Sequence, residues 1–88
     1  DVFRYLATCR ERFDFIFADP PYALPRLEEL PALVLDRGLL KPGGLFVLEH
    51  GKANDFSHHP QCAEHRAYGS VNFSFFKAQP EPGVTIQG

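Results

Sequence analysis

Phe13-Asp14-Phe15-Ile16-Phe17-Ala18-Asp19-Pro20-Pro21-Tyr22 decides the fold of this chain. Apart from Asp14, the first six residues are apolar, and the run is short and rich in aromatic side chains. That pattern predicts a strand over 13–18, a central one covered on both faces. The strand ends by delivering a carboxylate, Asp19, and an aromatic ring, Tyr22, to the sheet's edge. Between them Pro20 and Pro21 stiffen the backbone and remove two N–H donors.

Working outward, residues 1–9 place Val2, Phe3, Leu6 and Cys9 at helical spacing, the end of a helix. Downstream, Pro25 suits the start of a helical turn over 25–30. Pro31 is poorly tolerated inside a continuous helix, so a separate helix is predicted over 31–37. Leu30, Leu33, Val34 and Leu35 face the sheet and Gly38 ends the helix. Lys41-Pro42-Gly43-Gly44 reads as a tight turn. Leu45-Phe46-Val47-Leu48 then reads as a second buried strand, ending in Glu49-His50-Gly51. A strand–helix–strand unit is right-handed in nearly all cases and makes the two strands parallel. Residues 51–61 are a polar loop. Two further strands are expected over 63–69 and 71–78, with Gly69-Ser70 as the bend of an antiparallel hairpin. Residues 79–88 read as a flexible tail. The fold class is therefore α/β, a partial Rossmann-like sheet made of strand–helix–strand plus a closing hairpin.

At 88 residues the chain makes one small domain, short for an α/β enzyme. Apolar residues make up 44%, too many for a disordered chain. Met is absent, which reads as a partial piece of a longer protein. The net charge of −2 and the lack of a basic run mean that charge alone does not advertise nucleic-acid affinity. Without a signal peptide or spanning segment, a cytoplasmic protein with no membrane partner is expected. Cys9 and Cys62 are expected to be free thiols.

The strand tip suits chemistry on the amino group of a flat ring. The lone pair of an aromatic amine is delocalised into the ring, so the amine is a poor nucleophile. Accepting hydrogen bonds from its two N–H groups draws the nitrogen toward tetrahedral geometry. The Asp19 carboxylate can accept one, and the Pro20 carbonyl the other. Pro21 holds the backbone in register, so orientation is settled in advance. Tyr22 can stack on the base, worth about 1–3 kcal/mol in single-stranded complexes. Asp and Pro also occur in plain strand-ending turns, and the flanking segments are what favour chemistry here.

Asp19-Pro20-Pro21-Tyr22 after an apolar strand resembles motif IV of the S-adenosylmethionine-dependent amino methyltransferases. Leu39-Leu40-Lys41-Pro42-Gly43-Gly44, the Glu49-His50 strand end and His65-Arg66-Ala67-Tyr68-Gly69-Ser70-Val71-Asn72-Phe73-Ser74-Phe75-Phe76 resemble one branch of them. That branch is the RsmD-like ribosomal RNA guanine methyltransferases, which modify the guanine 2-amino group. The resemblance covers about residues 1–78 and implies the carboxyl-terminal half of a methyltransferase domain. It implies S-adenosyl-L-methionine as cofactor and small-subunit ribosomal RNA, or an assembling ribosomal particle, as partner. Asp19 would lie near the methyl donor, with Asp19, Pro20, Pro21 and Tyr22 catalytic. The family's glycine-rich cofactor loop and ribose-holding acid belong to the first half of the domain and are not in this sequence. Gly43-Gly44 precedes a strand, whereas the cofactor fingerprint follows one. The 88-residue piece alone is therefore expected not to methylate. The same motif serves DNA adenine methylation, and a non-catalytic fragment or binding module is the alternative from another class.

Four further residues are candidate substrate contacts. In the family this chain resembles, an aromatic near the closing hairpin can flank the target base, a role for Tyr68 or Phe73, although strand packing is the commoner role of such aromatics. Glu49 and His50 end a strand on the same rim as Asp19. His50, His58, His59, Cys62 and His65 invite a zinc reading, but their spacing fits no standard finger and adjacent His58-His59 share a metal awkwardly. No metal is expected.

Overall fold

The computed structural model describes residues 2–78, so the tail expected over 79–88 lies outside the described residues. In chain order the elements are α1 (Val2–Thr8), β1 (Phe13–Ala18), a 3-10 turn (Leu27–Glu29), α2 (Leu30–Asp36), β2 (Leu40–His50), β3 (Cys62–Tyr68) and β4 (Val71–Lys77). They form one four-stranded sheet in the order β1-β2-β4-β3. β1 and β2 are parallel; β2 with β4 and β4 with β3 are antiparallel.

Most elements fall where the residue pattern puts them. α2 begins at Leu30 with Pro31 in its first turn, where the missing N–H costs nothing. Gly38 takes a φ of 67° and its N–H bonds the Leu35 carbonyl at 3.3 Å, closing the helix. Leu30 and Val34 are fully buried, and Leu33 and Leu35 pack at the margin of the same core. Each of the two buried side chains stabilises the fold by about 1.5–3 kcal/mol. They cover Phe46 and Leu48 of β2 and Phe76 of β4, with Leu6 of α1 and Phe56 of the loop in the same cluster. The rings of Phe46 and Phe76 stack with centroids 5.6 Å apart.

Two features differ from the sequence reading and a third adds to it. The first is β1, which is an edge strand of this sheet, not a central one. The helices pack on the face that carries Ile16, Ala18, Phe46 and Leu48. The alternate residues Phe15 and Phe17 are 56% and 50% exposed. Val47 between them and Phe75 is nonetheless buried.

The second is Lys41–Gly44. These residues do not precede β2 but bulge from it. Phe13 pairs with Leu40 and Phe15 with Leu45, so Asp14 alone faces four residues. Gly44 makes the bulge possible: a Cβ there would stand 2.9 Å from the Lys41 carbonyl oxygen and 3.0 Å from that of Asp14.

The third is β4. Its core-facing residues are Asn72, Ser74 and Phe76, while Val71, Phe73 and Phe75 lie half-buried on the opposite face. The polar pair is buried because two histidines bond to it. The Ser74 hydroxyl lies 2.8 Å from His50 Nε2, and His65 Nε2 donates to Asn72 Oδ1 at 2.9 Å. Satisfied this way, buried polar groups cost little.

The outer edge of β1, unpaired among the described residues, and its half-exposed phenylalanines form a template for association. The 88-residue chain, produced alone, is expected to self-associate in sedimentation velocity. Phe15→Lys with Phe17→Lys shifts it toward monomer. A monomeric wild-type chain with a sharp cooperative melt contradicts this.

Candidate active site at the strand tips

The parallel register of β1 and β2 runs Phe17 with Val47 and Ala18 with Leu48. One residue on, Asp19 leaves β1 level with Glu49, the strands being about 4.8 Å apart. Across the next ladder Glu49 pairs with Phe73, and Phe73 with Arg66. Three candidate residues, Asp19, Glu49 and Phe73, thus fall on one rung at the carboxyl end of β1 and β2. Such strand ends are where parallel sheets bind ligands.

Tyr22 is drawn onto this rung by two contacts. Its hydroxyl donates to Glu49 Oε2 at 2.8 Å. Its ring lies over Gly51, where a Cβ would come within 3.0 Å of Tyr22 Cδ2. A side chain at 51 would have to displace the ring. The ring remains 40% exposed, available to a ligand. Hydrogen bonding to the Glu49 carboxylate pushes the Tyr22 phenol above its usual range, with partial loss of water and the carboxylate's charge adding to it.

The loop after the motif is pinned from both sides. The Leu24 N–H bonds the Pro21 carbonyl at 2.9 Å, and the Leu27 N–H bonds that of Leu24 at 3.3 Å. Among the described residues the Pro20 carbonyl takes no turn bond of this kind. Arg26 adopts a left-handed φ of 65°, a conformation that costs energy in a residue with a Cβ. Its guanidinium makes two bonds to Glu29, at 2.8 and 3.0 Å, and lies 4.8 Å from the centre of the Phe3 ring. The loop is thereby tied to α1.

Asp19 and Pro21 are exposed and Pro20 is half-buried. Tyr68 is 59% exposed at the hairpin end, with its ring edge-on to Phe73 at 6.1 Å. His50 departs from the sequence reading. Alternation turns it to the face opposite Glu49, where it is buried. Its Nδ1 donates to the Gly51 carbonyl at 2.9 Å and its Nε2 accepts from Ser74. It supports the strand end and does not line the rim.

His59 has a local task as well: its Nδ1 accepts the Gln61 N–H at 3.1 Å. Among the described residues no group of three or more His, Cys, Asp or Glu side chains is placed to hold a metal ion. Cys9 and Cys62 are free thiols. Burial pushes the Cys62 thiol up, which works against thiolate chemistry. Among the described residues no helix is long and apolar enough to cross a membrane.

Sequence reasoning missed Gly51 and Arg66. Gly51 reads as a loop glycine until the ring above it is seen. Arg66 reads as one charge on an exposed strand, yet the register puts it on the rung of Asp19 and Glu49. Its guanidinium bonds Glu64.

The Tyr22–Glu49 bond predicts a titration. The folded-state phenol lies above its unfolded value, so its contribution to stability is present below the ordinary tyrosine range. It is lost as pH rises through the raised value. Tyrosinate absorbance, taken as wild type minus Tyr22→Phe, should show one late-titrating phenol. Glu49→Ala should bring it back toward the ordinary range. An unmoved titration argues against the bond.

Residues 1–77 match the family described as conserved hypothetical protein 95. Among solved structures, the chain resembles the putative methyltransferase yhhF of Escherichia coli, with 21% identity and a TM-score of 0.72. The match covers 92% of this chain and 46% of that one. It resembles a hypothetical protein of Thermus thermophilus at 32% identity and a TM-score of 0.69, covering 88% and 44%. A putative methylase of Haemophilus influenzae matches at 22% identity and a TM-score of 0.68, covering 85% and 49%. No curated protein matches significantly. The chain spans about half the length of these structures. The α/β sheet is theirs, and the chain belongs to the conserved hypothetical protein 95 family, the RsmD-like family.

Proposed function

We propose that this chain forms the amine-orienting half of an S-adenosylmethionine-dependent methyltransferase that acts on the 2-amino group of a guanine in small-subunit ribosomal RNA. The observation that carries the reading is the motif at the carboxyl end of β1, with Tyr22 anchored to Glu49 on the neighbouring strand. Family membership and the methyltransferase-like fold support it.

The donor set fits the amine side of the reaction. Asp19 is an exposed acceptor at a strand tip, and the Pro20 carbonyl is a second acceptor one peptide away. S-adenosylmethionine, when bound, supplies an electrophilic sulfonium methyl. The residues here suit the neighbourhood of that methyl; the glycine-rich loop and ribose-holding acid that the family uses are not in this sequence.

Asp19 and the Pro20 carbonyl accept hydrogen bonds from the two amine N–H groups and aim the lone pair. The N–C bond would form as the sulfonium S–C bond breaks and a neutral thioether leaves, and the Asp19 carboxylate would take up the proton that the amine then loses. Tyr22 stacks on the base and fixes its plane. The base must leave its helix or be unpaired to reach the site. Tyr68 and Phe73 stand farther along the same side of the sheet as its outer wall. The acidic site has Arg66 on its rung, a cation suited to a backbone phosphate.

In a protein carrying the complete domain, Asp19→Ala should lower turnover about 10²-fold or more, the scale for losing one preorganised polar contact. Cofactor affinity should stay close to wild type. Steady-state assays on small-subunit particles and on duplex DNA check both points. Equal losses in turnover and cofactor affinity would assign Asp19 a structural role. Activity confined to DNA adenine would overturn the substrate.

A further inference from the structure

Glu49 has a second oxygen to use. Oε2 holds the Tyr22 hydroxyl at 2.8 Å, and a carboxylate offers about four lone-pair positions over its two oxygens. Oε1 is therefore left to accept from a ligand. Glu49 is half-buried, one residue beyond the Ala18–Leu48 pair of the parallel register, so it stands beside Asp19 across one strand spacing. Phe73 faces it from β4. The tip thus presents two carboxylates one strand spacing apart, and one of them is held still by the Tyr22 hydroxyl.

Such a pair has a natural complement. The reading edge of guanine presents two neighbouring donors, the N1–H and the 2-amino group. Adenine offers a bare lone pair at N1 beside its amino group. We propose that Glu49 is a specificity-determining residue that accepts the N1–H of the target guanine while Asp19 and the Pro20 carbonyl hold the 2-amino group. This rests on the guanine reading given above and extends it to the choice of base. A purine with an unprotonated N1 sets a lone pair against the Glu49 carboxylate. The repulsion, and the acceptor left unpaired, disfavour it. Sites built to hydrogen-bond one N–H reject analogues that lack it far more strongly than apolar pockets reject a change of size.

Tyr22 and Gly51 hold the reader in place. An untethered glutamate side chain samples many rotamers and loses them on binding. Here the phenol fixes the carboxylate beforehand, and the bare Cα of Gly51 lets the ring lie close enough to do so. Glu49 and Tyr22 have separable tasks: one reads the edge of the base, the other supports its face and the reader.

The probe is 2-aminopurine, which keeps the 2-amino group and replaces the N1–H with a lone pair. In a protein carrying the complete domain, kcat/KM is measured on RNA with guanine or 2-aminopurine at the target position. Wild type should favour guanine by about 10²-fold or more. Glu49→Gln is isosteric and keeps an acceptor for the Tyr22 hydroxyl, and its amide can donate to a bare N1. It should shrink the preference by about tenfold or more. Tyr22→Phe keeps the stacking ring but frees the carboxylate, so it should lower kcat/KM on guanine more than on 2-aminopurine and shrink the preference less than Glu49→Gln does. Thermal melts confirm that each variant folds. An unchanged ratio in Glu49→Gln, with guanine still methylated, overturns Glu49 as the reader and leaves the guanine activity standing. Wild-type protein that methylates adenine, or no guanine at all, removes the activity and this inference together.

Discussion

The parallel pairing of β1 with β2 is the constraint on which the candidate site depends. Phe17 opposite Val47 and Ala18 opposite Leu48 bring Asp19 level with Glu49. A slip of one residue would turn Ile16 and Ala18 out of the core and bring Phe15 and Phe17 into it. It would also carry Glu49 away from the Tyr22 hydroxyl. Packing on the buried face therefore sets the geometry on the open one. The bulge at Lys41–Gly44 keeps that pairing in phase. It takes up four residues opposite Asp14 and returns β2 to register at Leu45.

Much of the fold was legible because the residues involved act locally. The apolar run over 13–18 ends where two prolines end it. Pro31 and Gly38 bracket α2, and Gly69-Ser70 turns the hairpin. The strand–helix–strand order was enough to give parallel neighbours. The edge position of β1 was not legible, because an apolar run looks alike whether one face is covered or two. Nor was the inward face of β4. Alternation of Val71, Phe73 and Phe75 with Asn72 and Ser74 suggests aromatics inside, yet the polar residues are the buried ones. Their partners, His50 and His65, come from two other strands, and that pairing becomes visible only once the register is known.

The site divides in the same way. Asp19, Pro20, Pro21 and Tyr22 could be found as a word in the sequence. Glu49 could be placed on the rim but not assigned a partner, since 27 residues separate it from the tyrosine it holds. His50, its neighbour in sequence, belongs to the opposite face and to the core. Adjacent residues at the end of a strand have unrelated tasks because the side-chain period is two. A reading that groups neighbours by position along the chain joins what the sheet separates.

The two prolines explain why the tyrosine has to be tethered through its side chain. A motif loop is ordinarily fixed by its own backbone donors, and Pro20 and Pro21 have none. At the motif itself the loop is held by the Pro21 carbonyl, engaged by the Leu24 N–H, and by the side chain at position 22, while Arg26 ties its far end to Glu29 and Phe3. The Pro20 carbonyl takes no such turn bond among the described residues. A backbone acceptor kept out of the local hydrogen-bond network and carried on a rigid peptide next to a carboxylate is what an amine with two N–H groups requires. Replacing either proline with a residue that restores an N–H would make new turn bonds possible. It would also loosen the geometry in which the two acceptors meet.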